Sequence, residues 1–329
     1  MKEVLTALNT VKNLRPVTST RLSNSDLRDT LWRGIKKTKY LQLMIIPALI
    51  WYIIFCYGPM YGVIIAFKEF NMRLGIWNSP FVGFEQFERF LTHPYFWRLL
   101  RNTLLLSLYS FIFAFPIPIV FALLLNEVRN LTFKKFVQTV SYLPHFISMV
   151  AIVGMIVMML SPSSGFVNKI LTSVLGIDPI YFMAEQKWFR PIYILSGIWQ
   201  GTGWSAIIYL AALSGIDQEQ YEAVAIDGGG RFKQLWHITL PGIKPTIVIL
   251  FILNLGSLFS VGYEKIILMY SPITYETADV ISTFVYRVGL FDAKYSYSTA
   301  IGLLNSVINL ILLVAANRMA RKFADFSLW

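Results

Sequence analysis

The sequence is short of charge, of cysteine and of histidine. Only 14% of its 329 residues are Asp, Glu, Lys or Arg, where soluble domains carry about 25%. Too little charge is present to dress a water-facing surface of ordinary size. The one cysteine, Cys56, excludes an intramolecular disulfide and lies inside an apolar run. The three histidines (His93, His145, His237) are scattered, with no His-Glu-x-x-His pair and no Cys/His cluster to hold zinc. His145 reads as a hydrogen-bonded structural residue rather than a ligand. No Gly-x-x-x-x-Gly-Lys-Ser/Thr cradle occurs, so the chain cannot bind ATP in the P-loop manner. No convergent catalytic cluster stands out, which argues against an enzyme.

What is abundant is apolar. Hydrophobic residues make up 56% of the chain, aromatics 16%, and the mean hydropathy is +0.57. Lipid is the solvent such a composition suits, with Trp and Tyr at the interfaces. The net charge of +11 does not indicate nucleic acid. Nine basic residues, from Lys2 to Lys39, precede the first apolar run, and a groove-binding protein needs its basic stripe on a folded polar surface. That first run begins at Leu41 and stays uncharged to Phe67. It exceeds the roughly 7–15 residues of a signal peptide's apolar region and reads as a retained span.

A charge at the bilayer centre costs about 2.5–3.5 kcal/mol on insertion scales, so charge-free windows mark spans. Six approach or exceed the roughly 20 residues a crossing needs: Leu41–Phe67, Asn102–Asn126, Tyr142–Leu160, Pro191–Ile216, Pro245–Tyr263 and Tyr295–Asn317. The expected fold is all-α, a polytopic membrane protein of six transmembrane helices, kinked at Pro47, Pro59, Pro116 and Pro118. An even count puts both termini on one side. If that side is cytoplasmic, 18 of the 29 Lys and Arg lie inside, the sense of the positive-inside rule. The expected organisation is a cytoplasmic tail over 1–40, a transmembrane domain over 41–317 and a cytoplasmic tail over 318–329. Asp26–Tyr40 reads as a basic interfacial helix within the first tail. Phe84, Phe87 and Phe90 recur every three residues, a short amphipathic helix against the membrane surface that either anchors the loop or docks a partner.

The cytoplasmic loop 213–245, between spans four and five, is more than a connector. Asp217 can cap a helix, with Gln220 as the reciprocal partner. Gly228, Gly229 and Gly230 end that helix, because glycine takes left-handed angles without steric cost. A second helix follows over roughly Arg231–Thr239, and Pro241 stops it. A compact, partly apolar hairpin facing the cytosol is suited to docking.

This loop resembles the EAA loop of bacterial ATP-binding-cassette (ABC) importer permeases. Glu222, Ala223, Asp227, Gly228, Ile238, Leu240, Pro241 and Pro245 stand at its spacing. Val224 and Gly229 replace the usual alanines, and Leu235 replaces the usual phenylalanine. The resemblance covers most of residues 40–318. Gly83–Phe87 with Asn102-Thr103 is similar to sugar permeases. Tyr142–Phe146, Gly165–Asn168 and Asp279–Arg287 are similar to the LplB-type branch that imports oligosaccharides and polysaccharide fragments. The resemblance implies the type I ABC importer permease fold and a hairpin seated in a groove on a separate ATPase. Glu222, Ala223, Asp227, Gly228, Gly229 and Pro241 would form that coupling element, with Glu222 facing the ATPase and Gly228 the elbow. It implies no cofactor in this chain, with ATP and Mg on the partner. The partners would be a second homologous permease, two ATPase subunits and an extracellular solute-binding (lipo)protein in the bacterial plasma membrane.

A translocation path is expected on spans four and five. Gly197, Gly201 and Ser205 form a small-residue face suited to close backbone approach, with Gln200 and Trp204 on another face at i, i+4. Asn254, Ser257 and Ser260 recur every three residues on span five. Uncharged hydrogen-bonding groups beside aromatic rings suit a sugar, whereas the alternative is that both faces are packing seams. Similarity to maltose-type permeases places Gly197, Trp199, Gln200, Gly201 and Trp204 on the segment that contacts sugar. Two rival functions are import of a non-sugar solute and ion-coupled secondary transport. The second needs ionisable groups at membrane depth. Only Glu264 and Lys265 offer themselves, and they are expected to pair with each other or reach the interface.

Overall fold

The computed structural model describes residues 39–323, so the expected interfacial helix over 26–40 lies almost wholly outside the described residues. The chain divides into two units, residues 1–62 and 63–329. In the first, helix α1 (Lys39–Trp51) leads into one widened π-turn, Tyr52–Tyr57. Pro59 follows. A proline clashes with the carbonyl four residues back, here that of Phe55, and the wider turn makes room for it.

The second unit is helical, in keeping with its charge-free windows. After a loop pinned by Lys68, whose ammonium donates to the carbonyls of Ile76 and Trp77 at 2.8 Å each, come α2 (Glu85–Leu91), α3 (Phe96–Ala114) and α4 (Pro116–Asn126). Then follow α5 (Leu131–Tyr142), α6 (Met149–Met159), α7 (Phe166–Leu175) and the long α8 (Gln186–Ser214). The hairpin helices α9 (Gln218–Ile226) and α10 (Arg231–Gln234) precede α11 (Leu240–Gly256). Helices α12 (Tyr263–Met269), α13 (Ile281–Tyr286) and α14 (Tyr295–Phe323) complete the unit.

Among the described residues four helical runs are long and apolar enough to cross a membrane: Leu43–Phe67, Phe96–Asn126, Arg231–Gly256 and Tyr295–Lys322. Helices α5 and α6 with the tight turn between them make a fifth crossing if counted together, although they bend by 101°. Helix α8 has 29 residues, about 43 Å at 1.5 Å per residue, and no charge after Arg190. Gln200, Thr202 and its serines dilute its apolarity. This set is consistent with six crossings.

Four boundaries differ from expectation. The third span does not run straight from Tyr142. Pro144 sits in a 3₁₀ turn, Leu143–Phe146, and Ser148 caps a new helix by accepting from the N–H of Ala151. Pro241 does not stop the second hairpin helix. Leu235–Thr239 widens into a π-turn centred on His237, the residue four before the proline, and the helix continues to Gly256. Span five ends at Gly256 rather than Tyr263, and α14 extends to Phe323, past the expected boundary at 317.

Helix α8 is the central post. Ala206, Tyr209 and Leu213 pack on Ala122 of α4 and Ile243 of α11, while Phe189 and Ile194 join Leu106, Val153 and Ile266 nearer its start. A third cluster joins Phe90, Leu99, Phe284, Tyr297 and Ile301. Phe90 is thus buried in protein, and Phe84 remains exposed beside Phe67. The Phe84–Phe90 stripe fastens its loop to the helices more than it lies flat on a surface.

Candidate functional site: a polar cavity and an exposed hairpin

The hairpin is built by local rules. Asp217 Oδ1 accepts from the N–H of Glu219, and its backbone carbonyl accepts from the N–H of Gln220. The cap forms, but Gln220 contributes its backbone and not its side chain. Of the three glycines only Gly228 is left-handed, at φ +75°. Gly229 is needed for space instead, since a Cβ there would collide with the side chain of Val224, whose carbonyl accepts the Gly229 N–H at 2.7 Å. Gln234 Nε2 donates to the carbonyl of Tyr221 at 3.2 Å, and the hydroxyls of Tyr221 and Thr239 lie 3.1 Å apart. These bonds close the two arms on each other.

That rigid hairpin presents apolar surface. Ile226 is 85% exposed and Phe232 87%, with Trp236 beside them at 69%. Water would not leave such side chains uncovered on a finished surface. Glu222, Ala223, Asp227 and Pro241 are exposed too. At the side of the hairpin, Arg231 reaches Glu127, which follows α4, at 3.8 Å.

A cavity of about 600 Å³ opens between α3, α4, α8 and α11. Gly197, Gly201, Trp204, Asn254, Ser257 and Ser260 all line it. Trp199 and Gln200 are not among its lining residues, because α8 turns them away, and Trp199 is 48% exposed on another face. The Gly197–Ser205 face is not a close-approach seam. A Cβ at Gly201 would meet nothing within 4 Å, whereas one at Gly203 would collide with the backbone of Ser141 on α5. Gly203 is the glycine that lets helices touch, one the sequence reading passed over. Trp204 stacks on His145, ring centroids 4.5 Å apart and 2° from parallel, so His145 is held by ring contact and not by a hydrogen bond.

Ser257 and Ser260 lie past the end of α11, on irregular backbone. Helix α14 holds that stretch. Asn309 Oδ1 accepts from the N–H of Phe259 at 3.0 Å, Asn309 Nδ2 donates to Ser260 Oγ at 2.9 Å, and Asn305 Nδ2 donates to the carbonyl of Phe259 at 3.3 Å. Non-helical backbone at membrane depth needs such partners. Two asparagines at i, i+4 inside an apolar window are the signal that would have found them.

Lys265 also departs from expectation. It neither pairs with Glu264 nor reaches an interface. Its side chain is buried, and Nζ donates to the carbonyl of Tyr193 at 2.9 Å and lies 4.7 Å from the Tyr193 ring. Gly197 leaves it room, since a Cβ there would stand 3.4 Å from Nζ.

Beyond this end of the cavity is a polar cluster. Asp279, fully buried, takes Arg287 at 2.8 Å, Arg98 at 3.6 Å and the Thr283 hydroxyl at 2.8 Å. Asn102 donates to the carbonyls of Glu276 and Asp279 and accepts from Arg190 at 2.9 Å. Asn168 closes the neighbouring loop with four bonds, to Leu160, Ser161 and both backbone groups of Ile180. Each segment of the branch resemblance therefore has structural work to do.

Residues 95–325 match the family described as binding-protein-dependent transport system inner membrane component. The chain is 46% identical to Protein LplB of Bacillus subtilis (strain 168), over 88% of this chain and 91% of that one. It is 42% identical to the polygalacturonan/rhamnogalacturonan transport system permease protein YteP of the same organism, over 97% and 99%. Among solved structures it is similar to a chain of the bacterial alginate ABC transporter in complex with an alginate pentasaccharide-bound periplasmic protein. The TM-score is 0.83 and the identity 44%, over 91% of this chain and 99% of that one.

Proposed function

The chain belongs to the binding-protein-dependent transport system inner membrane components, as a permease subunit of an ABC importer, and from that premise we propose that its cargo is an oligosaccharide or polysaccharide fragment. With a second homologous permease it forms the path, an extracellular solute-binding protein delivers the cargo, and two ATPase subunits bind ATP and Mg. The exposed face of Ile226, Phe232 and Trp236 seats in the ATPase, with Glu222, Ala223, Asp227, Gly228, Gly229 and Pro241 forming the coupling element. Gly197, Gly201, Trp204, Asn254, Ser257 and Ser260 belong to the path, whereas Trp199 and Gln200 fit a helix interface better.

One observation carries this reading. The helical run Arg231–Gly256 is unbroken, so the segment bearing Phe232 in the hairpin also bears Asn254 in the cavity wall. A push on one end moves the other, which is how hydrolysis on a partner becomes a change in the path. The basic asymmetry of the sequence supports a cytoplasmic position for both termini.

Reconstitution with its partners tests the function. Uptake of labelled oligosaccharides should require ATP and survive collapse of ion gradients by ionophores. Loss of uptake with the gradient would establish ion coupling instead. Single cysteines near residue 20 and in the loop 271–294, on a Cys56→Ala background, should label oppositely with an impermeant thiol reagent.

A further inference from the structure

Trp204 lines the cavity, and the ring behind it does not. His145 belongs to the turn that precedes the 101° bend into α6, and it stacks on Trp204 with ring centroids 4.5 Å apart. Phe146, the next residue, meets the same indole edge-on at 5.5 Å and 85°. An indole has two flat faces, and His145 covers one of them. The face left to a ligand is the opposite one. Gly201, one turn before Trp204 on the same side of α8, leaves open space where a Cβ would stand, so the wall beside the indole stays clear.

The chain around the bend is shaped to make this contact. Pro144 is buried at the start of the 3₁₀ turn, and the backbone turns extended at Ile147 before Ser148 caps the next helix. On the other side, Gly203 immediately precedes Trp204. Its missing side chain admits the backbone of Ser141, three residues before Pro144. The glycine thus lets α5 come against α8, and the tryptophan receives the ring that follows. The ring nitrogens of His93 and His237 take part in hydrogen bonds at 3.2 and 3.1 Å, whereas His145 presents its face.

We propose that His145 is a positioning residue for the cargo: it braces the Trp204 indole so that the opposite face is held ready for a sugar ring to stack on. This rests on the oligosaccharide reading above and adds a residue to its path. Trp204 is 44% exposed, so its own packing leaves the ring room to swing. A ring that must first be ordered by its ligand binds that ligand more weakly, because the lost rotamer freedom is charged to binding. His145 on one face and Phe146 at the edge remove that freedom beforehand. A parallel ring pair acts through flatness as well as volume. Another aromatic can therefore replace the imidazole, and an aliphatic side chain of similar size cannot.

The test uses the whole importer in proteoliposomes, with its binding protein, and reads saccharide-stimulated ATP hydrolysis. Trigalacturonate, an alginate pentasaccharide and maltotriose are the probes, and whichever stimulates most carries the series. His145→Leu should raise the half-stimulating concentration about threefold, and His145→Phe should return it close to the parent value. The melting temperature of the complex should be the same in both. In a Trp204→Ala background His145→Leu should add nothing, since no indole remains to be braced. Should His145→Leu fail to assemble, His145→Ala serves in its place. Parental affinity in His145→Leu beside a weakened Trp204→Ala would overturn the brace and leave Trp204 in the path. A threefold loss that persists without Trp204, or one that His145→Phe does not rescue, would overturn it as well. Silence with all three saccharides would overturn the oligosaccharide reading and the proposal with it.

Discussion

Arg287 holds Asp279 across two turns of chain, Nη2 to Oδ2 at 2.8 Å, with the carboxylate wholly removed from solvent. Arg98 stands on the other side at 3.6 Å, so one buried anion gathers α3 and the segment entering α13. Removing one member of such a group leaves the others buried and unpaired. Asp279→Asn, nearly isosteric, should destabilise the purified complex by about 3–5 kcal/mol. A melting temperature within a degree of the parent would show that the pairing is dispensable.

Gly228→Val places a β-branched residue at φ +75°, at a cost of about 1–2 kcal/mol confined to the elbow. No neighbour lies within 4 Å of the added Cβ, so the strain is in the backbone and not in packing. The complex should assemble at normal yield while uptake and stimulated hydrolysis fall together. Normal uptake by this variant would remove the hairpin from the coupling step.

Trp204 both lines the cavity and stacks on His145. Trp204→Ala should raise the half-saturating concentration for uptake about fivefold, the effect of roughly 1 kcal/mol of lost ring contact. Trp32→Ala, in the N-terminal tail, should leave it unchanged. A lowered melting temperature with unchanged affinity would assign Trp204 to packing.

His93 gives a pH dependence. Burial, then Arg89, Lys294 and Arg98, hold its pKa below the ordinary 6.5. Its Nδ1 accepts from the N–H of Tyr95 at 3.2 Å, a bond only the unprotonated nitrogen can make. The unfolded chain takes up a proton first as pH falls. The contribution of His93 is therefore complete above about pH 6.5 and is lost as pH drops towards the folded value. The melting temperature should decline between pH 7 and pH 5, and His93→Gln should flatten part of that slope. An identical slope in the variant would discharge His93 from this role.

Much of the fold was legible because lipid punishes charge. The charge-free windows had to be spans, and Gly228 announced a left-handed elbow because no other residue type takes that angle freely. Helical phase put Gly197, Gly201 and Trp204 on compatible faces, and they do share a cavity. Phase says nothing of the neighbour, however, so Gly201 read as a seam while Gly203 makes it, and Trp199 and Gln200 read as path residues. Proline read as a stop at 241, because a π-turn that absorbs it has no composition of its own. Lys265 read as pairing with Glu264 or reaching the interface, because adjacency in sequence was the only distance available, and it bonds the Tyr193 carbonyl instead.

The stretch between Gly256 and Tyr263 hangs from a neighbour instead of from its own chain. Ordinary helical backbone yields one carbonyl at a time, each handed to the next N–H. Here Phe259 and Ser260 depend on Asn305 and Asn309, one turn apart on α14. A rotation of α14 about its axis carries both amides together, and Phe259 and Ser260 with them. The bore of the cavity at the height of Ser260 is thereby geared to the last helix, not to the fifth span in which that serine is written.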